Sequence, residues 1–265
     1  MNTIAKYLRL LKGFFIASAI ADLEYRFNFV LKVGTDIAWY VAQFSVFEVL
    51  FHHTRQISGW TLDSTRVFMA LLFVTDSLWM VLVSENLDRL SDKVRKGELD
   101  FVLMKPVNSQ FMMSLQKMNP SYLGNFILTS LWLIRALRLM PGGVDWARFP
   151  WLLILIPCGI CLIYTTKFFF SATALIFTRA ENINYIFYQL YRLGMRPDSI
   201  YPTWLRWVVF TILPVAFVAS VPARVILSQS PVYLVGIAVI AATIGLALSA
   251  YYWKFALKFY SSASS

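Results

Sequence analysis

Six apolar runs, at 27–51, 67–84, 111–139, 151–177, 204–227 and 232–253, dominate this chain of 265 residues. A bilayer core about 30 Å thick is crossed by about 20 apolar residues in a helix, with every backbone polar group bonded inside the segment. None of the runs alternates apolar and polar residues as the strands of a membrane barrel must. An all-α membrane protein with six transmembrane helices is therefore expected. The third run is interrupted early by Lys117 and Pro120, which predicts a membrane core at 118–134 with the preceding turn at the interface or packed against protein. Charged residues make up only 14% of the chain, against roughly 25% in soluble domains.

Lys and Arg in short loops favour the cytoplasmic side. With both termini inside, the inner segments carry Lys6, Arg9, Lys12, Arg26, Arg89, Lys93, Arg95, Lys96, Lys105, Arg179, Arg192, Arg196, Lys254 and Lys258. The outer segments carry Arg55, Arg66, Arg135, Arg138, Arg148 and Arg224. This distribution accounts for the net charge of +10 without a nucleic-acid-binding face, which needs a folded basic domain. Residues 1–26 resemble a signal peptide in outline. Ile4, Leu8, Leu11 and Phe15 nevertheless recur at helical spacing, which predicts an uncleaved amphipathic helix along the inner surface leading into the first span.

The most polar stretch is a handle at 88–106, inside a cytoplasmic segment at 86–108. Leu87, Leu90 and Val94 form an apolar stripe among Asp88, Arg89, Asp92, Lys93 and Arg95. A helix of this kind lies on a membrane or in a partner's groove. Gly97 offers a helix cap and a hinge, Leu99 to Met104 re-enters apolar surroundings, and Pro106 stops further helix. A merely solvated loop is the plain alternative, and the stripe and glycine together argue against it.

Charges inside spans are costly and mark function or pairing. Lys32 and Asp36, four residues apart, share a helix face and are expected to pair. Asp76 and Lys167 stand near mid-span, either paired across helices or facing a wet cavity, and Glu48 lies near an outer end. His52 and His53 diverge by about 100° on a helix, a poor arrangement for shared metal ligation. The Cys158/Cys161 spacing inside a span reads as packing. No phosphate-binding loop G-x-x-x-x-G-K-[ST] is present, so any ATP is bound elsewhere.

From end to end the chain resembles the six-span permeases of ABC-2-type ABC transporters. The resemblance is carried by GELDFVLMKPVNSQF at 97–111, RAEN at 179–182, PDSIYPTWLR at 197–206, LPVAFVASVPAR at 213–224 and the tail YSSASS at 260–265. It implies a single permease domain over 1–265 that is not an enzyme, binds no metal, and works in the bacterial inner membrane with both termini cytoplasmic. It implies pairing with a second permease, identical or homologous, and two copies of an ATPase subunit that binds ATP and Mg, for export. Residues 1–26 would be an elbow helix and 86–108 the coupling helix. The ATPase contact would comprise Asp88, Arg89, Asp92, Lys93, Arg95, Lys96, Gly97, Glu98 and Asp100, with Arg179, Glu181 and Asn182 in the second cytoplasmic loop. Lys32, Asp36, Asp76 and Lys167 remain candidates for a translocation path. The region around Pro214 and Pro222 would form a re-entrant turn on the outer side. Two other classes fit the composition: a proton-driven transporter using Asp76 and Lys167 without an ATPase, and a scaffold that transports nothing.

Overall fold

A computed structural model describes residues 3–24, 26–177 and 182–260. It is 81% helical, and no strand occurs among the described residues, as the lack of alternation requires. The first half comprises α1 (Thr3–Glu24), α2 (Arg26–His53), α3 (Leu62–Leu82), α4 (Ser84–Asp88), α5 (Leu90–Arg95), α6 (Glu98–Leu103) and α7 (Ser109–Leu115). The second comprises α8 (Leu123–Arg138), α9 (Phe149–Ala172), α10 (Ile183–Tyr191), α11 (Thr203–Thr211), α12 (Ser220–Ile226) and α13 (Tyr233–Ala256).

Among the described residues, three helical segments are long and apolar enough to cross a membrane alone: Leu62–Leu82, Trp146–Leu175 and Tyr233–Phe259. Of their apolar windows, 72% of the first is buried but only 22% of the last, so α3 is the axis of the bundle and α13 lies at its edge. The α3 helix begins where Thr61 accepts from the Ser64 backbone and Ser64 answers with its own side chain, a reciprocal cap. It packs on α8, while α9 packs on α13. The α2 helix has the length to cross, at 28 residues, but carries Lys32, Asp36 and Glu48. The α8 helix has only 16 residues.

The third apolar run divides as its Lys and Pro predict. Met112, Met113 and Ser114 of α7 are buried against protein; Asn119 N–H then donates to Val81 O at 2.9 Å, and α8 starts beyond Pro120. The N-terminal helix departs from its expected stripe. Tyr7 and Phe14 face the protein through Phe111 at 4.7 and 6.3 Å, and Ser18 is buried. Ile4 and Leu8 point away, 71% and 61% exposed.

The run at 204–227 is the main correction to the sequence reading. It is not one helix: α11 and the segment Val215–Ile226 meet at 75°. Its first turn is tied to Asp198 by Arg206 and its last by Arg224, at 2.7 and 2.9 Å. Both ends therefore lie at the same end of the bundle, beside the α2–α3 loop, where Trp60 Nε1 donates to Ser199 Oγ. The middle dips inward, with Phe217 O lying 3.1 Å from where a Cβ on Gly159 would stand and Val218 O accepting from Thr75. Pro214 cannot donate a backbone bond and breaks the helix. The segment that traverses the bundle here is instead 183–200. It begins beside Asp88 and ends beside Trp60, so Arg196 and the 197–202 turn belong to the Trp60 end and not to a loop at the handle end.

Candidate functional site

The handle is three short helices folded as a bracket. Gly97 supplies the bend between α5 and α6 in the left-handed region, at φ 72°, which costs a residue with a Cβ about 1–2 kcal/mol. Leu87, Leu90 and Leu99 are completely buried and Val102 nearly so. The apolar stripe is thus spent on the chain's own core, which corrects its expected use in a partner's groove. What faces outward is a charged surface with an apolar patch. Arg89 and Arg95 are more than half exposed, paired with Glu85 at 2.9 Å and Asp92 at 3.0 Å; Lys96 and Glu98 are exposed, as are Phe101 and Met104. Lys93 is half-buried, and burial lowers its pKa against the opposing pull of Glu98. Asp100 is half-buried too.

Glu85 anchors the bracket. Burial alone would raise its carboxyl, but the Lys117 ammonium and Arg89 guanidinium outweigh that and hold it below the usual value. Asn86 reinforces the joint by accepting from Lys117 N–H at 3.0 Å and donating to Lys117 O.

Asp88 turns inward. Its carboxylate lies 2.7 Å from Lys167 Nζ of α9 and accepts from Tyr188 Oη at 2.9 Å. Its backbone carbonyl accepts from Asn184 Nδ2 at 2.8 Å, and Lys167 Nζ donates to Asn184 Oδ1 at 2.8 Å. The ammonium also sits 4.7 and 4.5 Å from the ring centroids of Phe187 and Tyr188, within cation–π range. Lys167 is wholly buried. This ring of contacts answers the question left by the intramembrane charges: Lys167 pairs with Asp88 of the handle, not with Asp76.

Asp76 receives the hydroxyls of Tyr40 and Tyr191 at 3.5 and 3.4 Å. Asp36 takes a hydrogen bond from Asn125 Nδ2 at 2.9 Å in place of the expected pair with Lys32. Glu48 is held by Arg66 at 2.7 Å, and Arg66 also binds Asp63. Asn182 precedes α10, its carbonyl accepting from Ile186. Arg179, Glu181 and the tail at 261–265 lie outside the described residues. His52 and His53 are exposed, no metal-binding cluster occurs among the described residues, and both cysteines are free thiols.

Asn184 and Tyr188 were not singled out by sequence. The signal was present, since Ile183, Ile186, Phe187, Leu190 and Tyr191 follow i, i+3, i+4, i+7, i+8 and so mark a helix with one apolar face.

Helices long and apolar enough to cross a membrane, packed around the buried α3 axis, define a multi-pass membrane protein. The profile of the ABC-2 family transporter proteins matches residues 37–264, and the chain belongs to that family: it is a membrane permease of an ABC transporter. Such permeases work in general with an ABC ATPase. No curated protein and no solved structure matches the chain.

Proposed function

We propose that the chain is the permease subunit of an ATP-driven exporter, and that the outward face of α5 and α6 docks a separate ATPase subunit. The observation that carries this reading is the division of labour in the handle. Its leucines are buried at home, while Arg89, Arg95, Lys96, Glu98, Phe101 and Met104 stand exposed at one end of the bundle. ATP and Mg are bound by the ATPase, whose closure on nucleotide displaces the docked handle and changes access to a cavity between two permeases. Two ATPase copies and a second permease, identical or homologous, complete the assembly.

In this reading the whole chain is one permease domain in a bacterial inner membrane. It crosses six times, through α2, α3, α8, α9, the segment 183–200 and α13, with α11 and α12 as a re-entrant hairpin on the outer face. Both termini are cytoplasmic: Lys6 Nζ reaches Pro106 O at 2.7 Å and Trp253 Nε1 donates to Ser109, so α1 and the end of α13 lie beside the handle. The exposed Ile4 and Leu8 suit an elbow helix against the inner leaflet. Asp76 meets Tyr40 and Tyr191 while Lys167 meets Asp88 and Asn184, which supports the ATP-driven reading over a proton-driven one that uses the two residues together.

Coexpression with a candidate ATPase tests the reading. Copurification and vanadate-sensitive hydrolysis are expected, with a Lys96→Cys chain that carries Cys158→Ala and Cys161→Ala reacting with an impermeant thiol label only in inside-out vesicles. A permease that recovers no ATPase, or labels at Lys96 from the outside, overturns it.

A further inference from the structure

The Asp88–Lys167 contact lies between the handle and two other helices, and stability alone does not explain it. Taking a lysine wholly out of water is costly, and replacing a buried ion pair by apolar groups of similar volume is often neutral or stabilising. What the charge does provide is directional: one ammonium fixes α4, α9 and α10 at a single point through Asp88 and Asn184. Tyr188 and Asn184, one turn apart on α10, grip Asp88 by its carboxylate and its carbonyl, so α10 is bonded to the handle at two heights. From there 183–200 runs the length of the bundle. Tyr191 meets Asp76 midway, Gly194 abuts Val215, where a Cβ would come within 2.9 Å, and Asp198 ends between Arg206 and Arg224 of the hairpin. Packed elements with discrete contacts of this kind can carry coupling between distant sites.

We propose that Lys167 is a positioning residue for transport: by locking Asp88 and Asn184 together it makes the 183–200 segment move with the handle, so that displacement at the ATPase end reaches the α11–α12 hairpin at the opposite end. This rests on the docking assignment above. It adds the internal joint through which the motion passes.

The test uses the permease–ATPase complex in nanodiscs, with Cys158→Ala and Cys161→Ala and spin labels at Thr54 and Gln229, both exposed near the hairpin end. The expected result is a change in inter-label distance on addition of ATP and vanadate. The doubly neutral Lys167→Met/Asp88→Asn chain leaves no uncompensated charge and is expected to copurify with the ATPase but lose the distance change. Tyr188→Phe, which keeps the ring, is expected to reduce it, and Lys167→Arg to retain it. A doubly neutral chain that still shows the full change overturns the proposal, as does an unsubstituted complex that hydrolyses ATP with no change. Failure of any ATPase to copurify defeats the docking assignment instead, so the two failures are distinguishable.

Discussion

Trp60 Nε1 donates to Ser199 Oγ at 2.9 Å, and Ser199 Oγ donates in turn to Ser58 O at 2.9 Å. This chain of two bonds pins the end of the 183–200 segment to the α2–α3 loop. Trp60 is only 2% exposed, packed edge-on to Phe68 and beneath the Arg224 guanidinium. Trp60→Phe keeps an aromatic ring but loses the indole donor and part of the buried ring volume, so it should cost about 1–2 kcal/mol. Trp60→Ala also leaves a cavity and should cost about 3–5 kcal/mol. Thermal unfolding in detergent checks the ranking, and equal losses would mean that the hydrogen bond carries the joint by itself.

Gly194 has no room for a side chain, because a Cβ there would meet Val215 Cβ at 2.9 Å. Gly194→Ala should destabilise by about 1–3 kcal/mol through overpacking. Adding Val215→Ala should recover part of the loss. A double-mutant cycle with additive effects would deny the contact.

Glu85 gives a pH signature. Its folded pKa lies below the ordinary glutamate value of 4.5, so the unfolded chain binds the proton more readily than the folded one. The stabilisation is therefore complete above the unfolded pKa and disappears as pH falls through the folded one. At neutral pH, Glu85→Gln leaves Lys117 without its partner and should cost about 1–3 kcal/mol. The difference from the unsubstituted protein should shrink as pH falls below about 4.5, measured as the gap in melting temperature across a pH series. A gap that widens in acid contradicts the assignment.

The handle's two faces should respond oppositely. Arg95→Glu with Lys96→Glu breaks the exposed Arg95–Asp92 pair and should cost no more than about 1 kcal/mol while sharply reducing ATPase copurification. Leu90→Ala removes a completely buried side chain and should cost about 2–5 kcal/mol. If the charge reversals leave copurification intact, the docking surface lies elsewhere.

The membrane class was readable because apolar length is a property of the sequence itself, and Gly97 announced its bend because few other residues accept that backbone. The partners of the buried charges were not readable. The i, i+4 rule joined Lys32 to Asp36, but Asn125, 89 residues away in sequence, occupies that carboxylate, and only tertiary packing brings it there. The run at 204–227 misled for a related reason: hydropathy counts apolar residues without direction, so a hairpin that enters and leaves at one end looks like a span. The opposite error hid 183–200, whose tyrosines, asparagine and arginines dilute its hydropathy although it runs the length of the bundle.

The inward-facing leucines of the handle have a consequence for how such proteins diversify. Because Leu87, Leu90 and Leu99 hold the bracket together from within, the exposed charges bear less of the folding than the leucines do. Substitutions among them can then accumulate at small cost to the fold, and under the proposed docking a duplicated gene could acquire allegiance to a different motor subunit by changing a handful of surface codons, leaving the membrane domain as it was.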